Sequence, residues 1–257
     1  MKFIQNTLTP AIHTLLAGLL LTPMTVLAQE LPEFSAYYEA RTNGMRGDAE
    51  RHLVRQEDGS YRLNVSLEAR MVGIRLGELE QSSEFELADG RIVPQQYTYV
   101  VSGITSSNDS VNFDWENGTA LSKEDKRSWQ LELGPHTLDQ LSYQLALAIT
   151  LRAGNWAAEE VLEFELVDGD ELEIQRYRLL GEEVTDTPLG RLNTVKLERI
   201  REGDSGRVTN IWFAKDWHYL LTTIEQVTSS GLRIELTLAN ATINNTQVIP
   251  LPHPDSE

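Results

Sequence analysis

The sequence predicts an all-β fold with one inserted helix, in which a curved antiparallel meander forms an open or incomplete β-barrel around a buried α-helix. Two observations carry this prediction. Apolar and polar residues alternate along most of the chain, and a single stretch has helical spacing instead. The chain has 257 residues, of which 40% are hydrophobic, and this is enough to bury one large core without covalent cross-links.

The alternation is clearest between Tyr61 and Met71, where every second residue is apolar. Successive side chains of a strand point to opposite faces, so this pattern gives the sheet one dry and one wet face. Half-buried strands of this kind are usually antiparallel, because parallel sheets are covered on both faces. The same pattern returns in residues 111–115, 129–133, 162–166 and 232–238.

Turn-forming dipeptides separate these segments. Asp-Gly and Asn-Gly pairs accept the positive φ angles of tight hairpin turns, and they occur at residues 58–59, 89–90, 117–118 and 168–169. Within residues 171–180 the apolar positions shift from Leu172 and Ile174 to Tyr177 and Leu179, which predicts a β-bulge in that strand.

The helix is predicted over residues 138–152, where apolar residues recur at helical spacing on more than one face. Thr137 and Gln140 have the S/T-x-x-E/Q spacing of a capping box, and Asp139 is favourably placed against the positive helix end. Ser142 belongs to the same helix start, and Gly154 supplies the stop. A buried helix inserted midway through an antiparallel meander is expected to plug or cap the curved sheet.

Three segments are predicted along the chain: a signal peptide at residues 1–28, a single β-rich domain at 29–244 and a flexible C-terminal tail at 245–257. The first segment has one charged residue, Lys2, followed by an apolar core and by small residues before a cleavage point after Ala28. A retained membrane anchor is the alternative, but Pro10 and Pro23 bracket a core too short to span a bilayer comfortably. We therefore expect a periplasmic protein that is not an integral membrane protein after cleavage.

Composition excludes several functional classes. The absence of cysteine excludes disulfides, iron–sulfur ligation and a thiol nucleophile. The formal net charge of −17 argues against nucleic acid as a partner, because a phosphate backbone recruits clusters of Lys and Arg. The histidines lack the spacing of a zinc motif, so the sequence predicts no metal and no cofactor. His136, Asp139 and Ser142 supply the residue types of a catalytic triad, but their closeness at a helix start favours capping, and we assign no catalytic residue.

Five aromatic residues are the candidates for a ligand-binding site inside a curved sheet: Tyr99, Phe113, Trp115, Trp129 and Trp212. The competing interpretation, which we favour, is that they fill the core, because aromatic side chains are enriched in strands and bury large areas. Trp212 and Phe213 are consecutive, so on a regular strand they face opposite sides. One of the two is then either covered or exposed as a contact patch.

Three stretches carry a family resemblance. They are residues 138–145, then Thr187-Pro188-Leu189-Gly190 running into residues 194–196, and finally Ile211-Trp212-Phe213-Ala214 followed by residues 219–220. In order and spacing these stretches, including Pro188 and Gly190, resemble the bacterial exported family labelled domain of unknown function 3108 over roughly residues 35–240. The resemblance implies an exported β-rich envelope protein and adds no chemistry.

The leading functional hypothesis is a non-enzymatic binding protein for an amphiphile or another cell-envelope component, because a curved sheet leaves a concave face that a helix, ligand or partner must fill. The alternative is a structural or interaction protein that docks an envelope protein through an exposed sheet edge or the outward aromatic ring. A third hypothesis is a hydrolase that uses scattered carboxylates. It requires a deep cleft with two carboxyl groups about 5–10 Å apart.

Overall fold

The computed structural model describes residues 30–71, 74–154, 156–201, 203 and 206–252, so the predicted signal peptide lies outside the described residues. Within them the chain forms fifteen strands and one helix. In chain order these are β1 Phe34–Thr42, β2 Met45–Arg55, β3 Tyr61–Met71, β4 Ile74–Ala88, β5 Arg91–Gly103, β6 Ser107–Asp114, β7 Thr119–Glu124, β8 Arg127–Glu132, α1 Ser142–Arg152, β9 Val161–Asp168, β10 Glu171–Thr187, β11 Gly190–Ile200, β12 Val208–Ala214, β13 Leu220–Val227, β14 Arg233–Ile243 and β15 Thr246–Gln247.

The strands form one antiparallel sheet. Its order is β8-β7-β6-β5-β4-β3-β2-β1-β14-β13-β12-β11-β10-β9, and β15 adds to β14. Two meanders, β1–β8 and β9–β14, are therefore joined by the pairing of β1 with β14. β8 and β9 are the two ends of this order, so the sheet does not close into a barrel. The predicted fold, an open antiparallel meander with one inserted helix, is confirmed.

Helix α1 lies against the inner face of this sheet. It contacts β5 of the first meander and β13 of the second. Leu145 belongs to an apolar cluster with Phe85 and Leu141, and Leu147 belongs to another with Tyr177 and Phe213. The helix therefore supplies side chains to the cores of both meanders, which is how one sheet curves around one helix.

In an antiparallel sheet, the start of each strand lies beside the end of its neighbour. The starts of β1, β3, β5, β9 and β13 share one end of the sheet with the ends of β2, β4, β12 and β14, and we call this end the upper rim. The C-terminal turn of α1 reaches the same rim, since Arg152 lines a cavity there with Leu31 and His218.

A loop between β8 and α1 covers part of the free edge of β9. The Leu138 N–H donates to the Glu165 carbonyl at 2.8 Å, and the Val167 N–H donates to the Leu138 carbonyl at 3.0 Å. These bonds form an isolated parallel bridge. Because Leu138 is held in extended pairing with β9, the helix cannot begin there and begins at Ser142 instead.

The capping box predicted at Thr137 and Gln140 is therefore wrong. Thr137 Oγ1 accepts a hydrogen bond from the Gly134 N–H at 2.9 Å, and Gln140 Nε2 donates to the Val167 carbonyl at 3.3 Å, so both residues anchor the loop rather than the helix. Asp139 satisfies the helix start, as described below.

The β-bulge predicted within residues 171–180 lies at the far end of that segment. β10 pairs with β9 without a register shift over residues 171–178, and the shift occurs between Leu179 and Gly181, opposite β11. The apparent change of phase has another cause. Tyr177 and Leu179 face the core, whereas Ile174 is 42% exposed and lies on the other face of the strand.

The tail that we expected to be flexible packs on the sheet as far as it is described. β15 pairs with β14, Val248 is 1% exposed, and the Leu251 N–H donates to the Arg191 carbonyl at 2.8 Å. This segment therefore stays on the sheet, because Val248 packs in the apolar cluster beneath β1 and β14 and Leu251 keeps its backbone hydrogen bond. Residues 253–257 lie outside the described residues.

Gly190 is where the β10–β11 turn meets this C-terminal segment. Its φ of +133° is strained for other residues, and an added Cβ would lie 2.5 Å from Pro250 Cβ. We expect Gly190→Ala to lower the free energy of unfolding by about 2–3 kcal/mol and to expose residues 246–252 to proteolysis. Gly44→Ala is the control, because φ there is also positive (+83°) but a Cβ meets nothing within 4 Å. Equal urea-unfolding midpoints for the two variants would contradict the contact with Pro250.

Candidate ligand-binding site

A mainly apolar cavity lies where the sheet fails to close, and we call it the seam groove. Its volume is about 400 Å³, and it runs along the edge strand β9 between helix α1, the β4–β5 hairpin and the loop before the helix. Its lining residues come from these elements and from β10: Gly90, Arg91, Ile92, Pro135, His136, Leu138, Ala146, Ile149, Thr150, Glu163, Phe164, Glu165 and Ile174.

The walls of the seam groove are apolar because one face of α1 and the inner face of β9 both contribute apolar side chains there. Ala146 and Ile149 present a face of α1 that no strand covers completely, and Phe164 belongs to the inner face of β9. Ile174, on the other face of the sheet, continues the apolar wall outside the edge of β9. The groove therefore joins the interior of the curved sheet to its surface.

Charged groups line the outer part of the groove. Arg91 Nη1 lies 3.1 Å from His136 Nε2, and since a guanidinium can only donate, the imidazole nitrogen accepts. On the opposite wall Glu163 accepts from Arg176 Nε at 2.6 Å, and Glu165 accepts a hydrogen bond from Thr137 Oγ1.

Glu163 and Glu165 are two carboxylates that line the same groove, as the hydrolase hypothesis requires. Residues two apart on a strand face the same side, with Cα atoms about 7 Å apart. Each of the two carboxylates already accepts a hydrogen bond from a side chain of the fold, Arg176 and Thr137 respectively. The hydrolase hypothesis remains a prediction.

A second cavity, which we call the arginine cavity, lies on an adjacent face of α1 near the upper rim. Its volume is about 40 Å³, and Ile149 lines it as well as the seam groove. Its walls are mostly apolar and come from β1, β2, α1, the hairpin at residues 215–219 and β13. They include Leu31, Pro32, Phe34, Leu53, Leu145, Ala148, Phe213, Trp217, Leu220, Leu221 and Ile243.

Arg51 contributes the buried charge of this cavity, and Arg152 lines its mouth. It occupies an inward position of β2, between Ala49 and Leu53, and its residue is 3% exposed. Its Nε is buried without a hydrogen-bond partner, and no carboxylate of the described residues forms an ion pair with it. Burial lowers the pKa of Arg51, while the nearby Tyr38 and Tyr143 oppose this shift.

The other polar groups around Arg51 do not neutralise it. The Tyr38 hydroxyl donates to the Leu221 carbonyl at 2.8 Å, and burial raises its pKa to about 12, so it stays neutral. Gln144, on α1, lines the cavity with its Oε1 buried and without a hydrogen-bond partner. Arg51 Nε and Gln144 Oε1 are thus two buried polar atoms that no described residue satisfies.

The hairpin that covers the arginine cavity is strained. His218 and Tyr219 are consecutive non-glycine residues in the left-handed region, with φ of +55° and +57°. The Tyr219 N–H donates to the Ala214 carbonyl at 2.9 Å, which holds this turn. Burial, with Arg152 nearby, lowers the pKa of His218 and favours its neutral form at the mouth of the cavity. Strain of this kind persists where surrounding structure enforces it, often at ligand sites.

The five aromatic residues predicted as a ligand site do not meet around either cavity. Tyr99, Phe113 and Trp115 pack in the first meander, where the last two stack with ring centroids 5.8 Å apart. Trp129 lies on the edge strand β8 under the Arg127 guanidinium. None of the five lines either cavity, and the ligand-binding role suggested for them stays a prediction.

Trp212 faces away from the helix, on the opposite side of β12 from Phe213, which is buried in the core. It is nevertheless only 8% exposed. Lys196 Nζ lies 4.8 Å from its ring centroid, and its indole nitrogen donates to Glu183. The Trp212 ring therefore does not form an exposed contact patch, because the long charged side chains of Lys196 and Glu183 cover it.

Asp139 is a buried carboxylate just before the start of α1, the helix that lines both cavities. Its Oδ1 accepts from the Leu141 and Ser142 N–H groups at 2.8 and 2.7 Å, and its Oδ2 accepts from Ser83 Oγ at 2.6 Å. Burial raises the pKa of Asp139, and these hydrogen bonds oppose the shift. The group caps the helix and ties it to β4, while His136 lies apart at the groove. The three residues do not form a triad.

The described residues contain no group of three His, Asp or Glu side chains placed to hold a metal ion. No helix in the described part of the chain is long and apolar enough to cross a bilayer.

Comparison with one solved β-barrel-like structure supports the fold. The β-barrel-like protein of domain of unknown function DUF1849 from Brucella abortus matches 83% of this chain and 98% of its own, with a TM-score of 0.57 at 12% identity. At that identity the likeness concerns the fold alone. MucB matches 89% of this chain and 57% of its own, with a TM-score of 0.35 at 15% identity. The Pseudomonas aeruginosa MucA/MucB complex matches 86% of this chain and 94% of its own, with a TM-score of 0.16 at 10% identity.

No curated protein matches the chain. A family model does, and it covers residues 33–237, which include the β10–β11 turn, the start of α1 and the strained hairpin. This confirms the resemblance noted in the sequence. The chain belongs to the family described as protein of unknown function (DUF3108).

Proposed function

We propose that this protein is a non-enzymatic binding protein for an amphiphile, held in the seam groove. The observation that carries the proposal is an apolar groove of about 400 Å³ at the open side of the sheet. Small-molecule sites typically measure about 300–1,000 Å³ and combine apolar walls with a few polar groups. The groove meets both conditions, with Ile149 and Phe164 inside and Arg91 and Glu163 outside.

The two ends of the groove differ in a way that suits an amphiphile. An alkyl chain lying against Ala146 and Ile149 would remove apolar surface from water, which is favourable by about 25 cal/mol per Å². The ligand's polar end would remain near the Arg91–His136 pair and the two glutamates, where water reaches it. We place this activity in the periplasm, on the strength of the signal peptide predicted at residues 1–28.

Filling the groove should abolish binding. Ala146→Phe adds a ring to the groove wall, and we expect it to weaken binding of a fluorescent apolar probe, N-phenyl-1-naphthylamine, by about tenfold or more, which corresponds to about 1.4 kcal/mol. The matched control is Ala157→Phe, because Ala157 is exposed outside the groove. Native mass spectrometry of protein purified from the periplasm, followed by lipid extraction, identifies any co-purified amphiphile.

Two results would count against the proposal. One is a wild-type protein that neither retains an adduct nor binds the probe. The other is equal probe affinity in the Ala146 and Ala157 variants, which would place the probe elsewhere on the surface.

An extended peptide is the second candidate for this groove, because β9 presents a free strand edge there beyond the Leu138 bridge. Edge strands pair readily with an added strand. Hydrogen exchange separates the two candidates. A peptide that adds to the sheet protects β9 amides, whereas an amphiphile contacts side chains and leaves β9 exchange rates nearly unchanged.

A further inference from the structure

The arginine cavity contains a buried charge, that of Arg51, which no described residue pairs with. Arg51 is 3% exposed, and a buried guanidinium normally has a carboxylate or another anion beside it. None of the described residues supplies that anion, and Arg51 Nε has no hydrogen-bond partner. The fold therefore contains a buried positive charge that its own side chains leave uncompensated.

We infer that the arginine cavity binds the carboxylate of a small apolar acid, with Arg51 as its charged partner. This site lies on a different face of α1 from most of the seam groove, and the inference stands whether or not the amphiphile proposal holds. The ligand class is an aliphatic monocarboxylate, for which butyrate is the simplest probe.

The chemistry of the donors favours a carboxylate. A guanidinium presents N–H donors in a planar fork that matches the two oxygens of a carboxylate. The amide of Gln144, which also lines the cavity, can turn its NH₂ group to the same anion, since its Oε1 has no partner to hold it. The Tyr38 hydroxyl is already engaged with the Leu221 carbonyl. Arg51 and Gln144 are thus the two buried groups with atoms free to bind a ligand, while Arg152 and His218 line the mouth of the cavity.

Size and lining restrict the ligand further. A volume of about 40 Å³ holds a few water molecules or one carboxylate group, and it excludes a bulky headgroup. Leu53, Leu145 and Leu221 form apolar walls beside the charge. Water could fill the same volume, but it cannot supply the negative charge that the guanidinium lacks.

The arginine cavity borders a depression of the protein surface. A shallow depression of about 340 Å³ at the upper rim shares Leu31, Pro32, Arg152 and His218 with the arginine cavity. A short alkyl chain attached to a carboxylate at Arg51 would point outward between these residues. The strained residues of the neighbouring hairpin, His218 and Tyr219, also border this route.

The test uses Arg51→Met, which keeps a long apolar side chain and removes the charge. Its matched control is Arg178→Met, because Arg178 is a partly exposed arginine on β10 that pairs with Glu159 at 3.7 Å. Butyrate binding is measured by calorimetry and by the shift of the melting temperature at constant ionic strength. Butylammonium, n-butanol and sodium chloride serve as ligand controls for charge, chain and salt.

We expect wild type and Arg178→Met to bind butyrate and to melt at a higher temperature in its presence. Arg51→Met should lose at least tenfold in affinity. Without ligand, the same variant should melt at the same or a higher temperature than wild type, because it removes an unpaired buried charge. This combination separates a ligand-binding role from a structural one, since loss of a structural contact would lower the melting temperature of the ligand-free protein.

The inference is overturned if butyrate does not bind the wild-type protein, if chloride or butylammonium gives the same shift, or if Arg51→Met binds butyrate as well as wild type. An Arg51→Met variant that binds butyrate normally would show that the carboxylate is held elsewhere on the protein. Ala146→Phe, tested in parallel, should keep butyrate binding, so failure of the seam-groove proposal is distinguishable from failure here.

Discussion

Replacing Asp139 by alanine is expected to lower the free energy of unfolding by about 3–5 kcal/mol. The change leaves the N–H groups of Leu141 and Ser142 and the hydroxyl of Ser83 buried without an acceptor. Each such group costs about 1–3 kcal/mol, and removing a buried charge offsets part of the loss. Urea unfolding at neutral pH measures the difference.

Asp139→Asn is the matched control, because its amide oxygen still accepts from the helix start and its NH₂ group can donate to Ser83. We expect it to cost about 1 kcal/mol or less at pH 7. If the alanine and asparagine variants were equally stable, the hydrogen bonds to Asp139 would not contribute to stability.

The same pair of proteins tests the ionisation of Asp139. Burial raises its native pKa above the unfolded value of about 3.9. The native state therefore holds the proton more tightly than the unfolded chain, and this contribution is complete below pH 4 and is lost as the pH rises through the native pKa. Asp139→Asn lacks the contribution, so its stability relative to wild type should increase as the pH rises from 4 to 8. A constant difference across that range would contradict the raised pKa.

Replacing Leu147 by alanine is expected to cost about 2–5 kcal/mol, because it opens a cavity where the helix fills the second meander. Leu147 is completely buried against the cluster that contains Tyr177, Leu179 and Phe213. The same measurement, urea unfolding, gives the change in free energy.

The control is Leu121→Ala on β7, where the side chain is 40% exposed. Removing it should cost about 1 kcal/mol or less, since surface positions away from special features contribute little. Equal losses in the two leucine variants would mean that α1 does not fill the interior of the sheet, and the curved architecture would lose its physical explanation.

Local alternation was sufficient to predict the antiparallel strands. The run from Tyr61 to Met71 became one uninterrupted strand, because its period of two is a property of the backbone and needs no distant partner. The helix was predicted in the right place for a similar reason, since its apolar spacing is also local. The first residue of the helix was not predicted correctly, because Leu138 pairs with β9, about 28 residues further along the chain.

The candidate site depended on contacts that no local pattern shows. Arg51 occupies an inward position between Ala49 and Leu53, and an alternation count over β2 would have marked it as an arginine on a dry face. Whether a carboxylate lies beside it depends on α1 and on the hairpin at residues 215–219, both distant in sequence. The aromatic residues did not identify a ligand site either. The size of an aromatic side chain indicates that it is buried, but it does not indicate whether the side chain lines a cavity.

By itself, the sequence determined that the chain folds as alternating strands around one helix, because side-chain direction along a strand follows from backbone geometry alone. Only the tertiary structure decided that β8 and β9 remain unpaired with each other, where the seam groove opens, and that the Arg51 charge has no partner among the described residues. Those features depend on the distances between elements remote in sequence, and these distances are set when the sheet curves around the helix and the core packs.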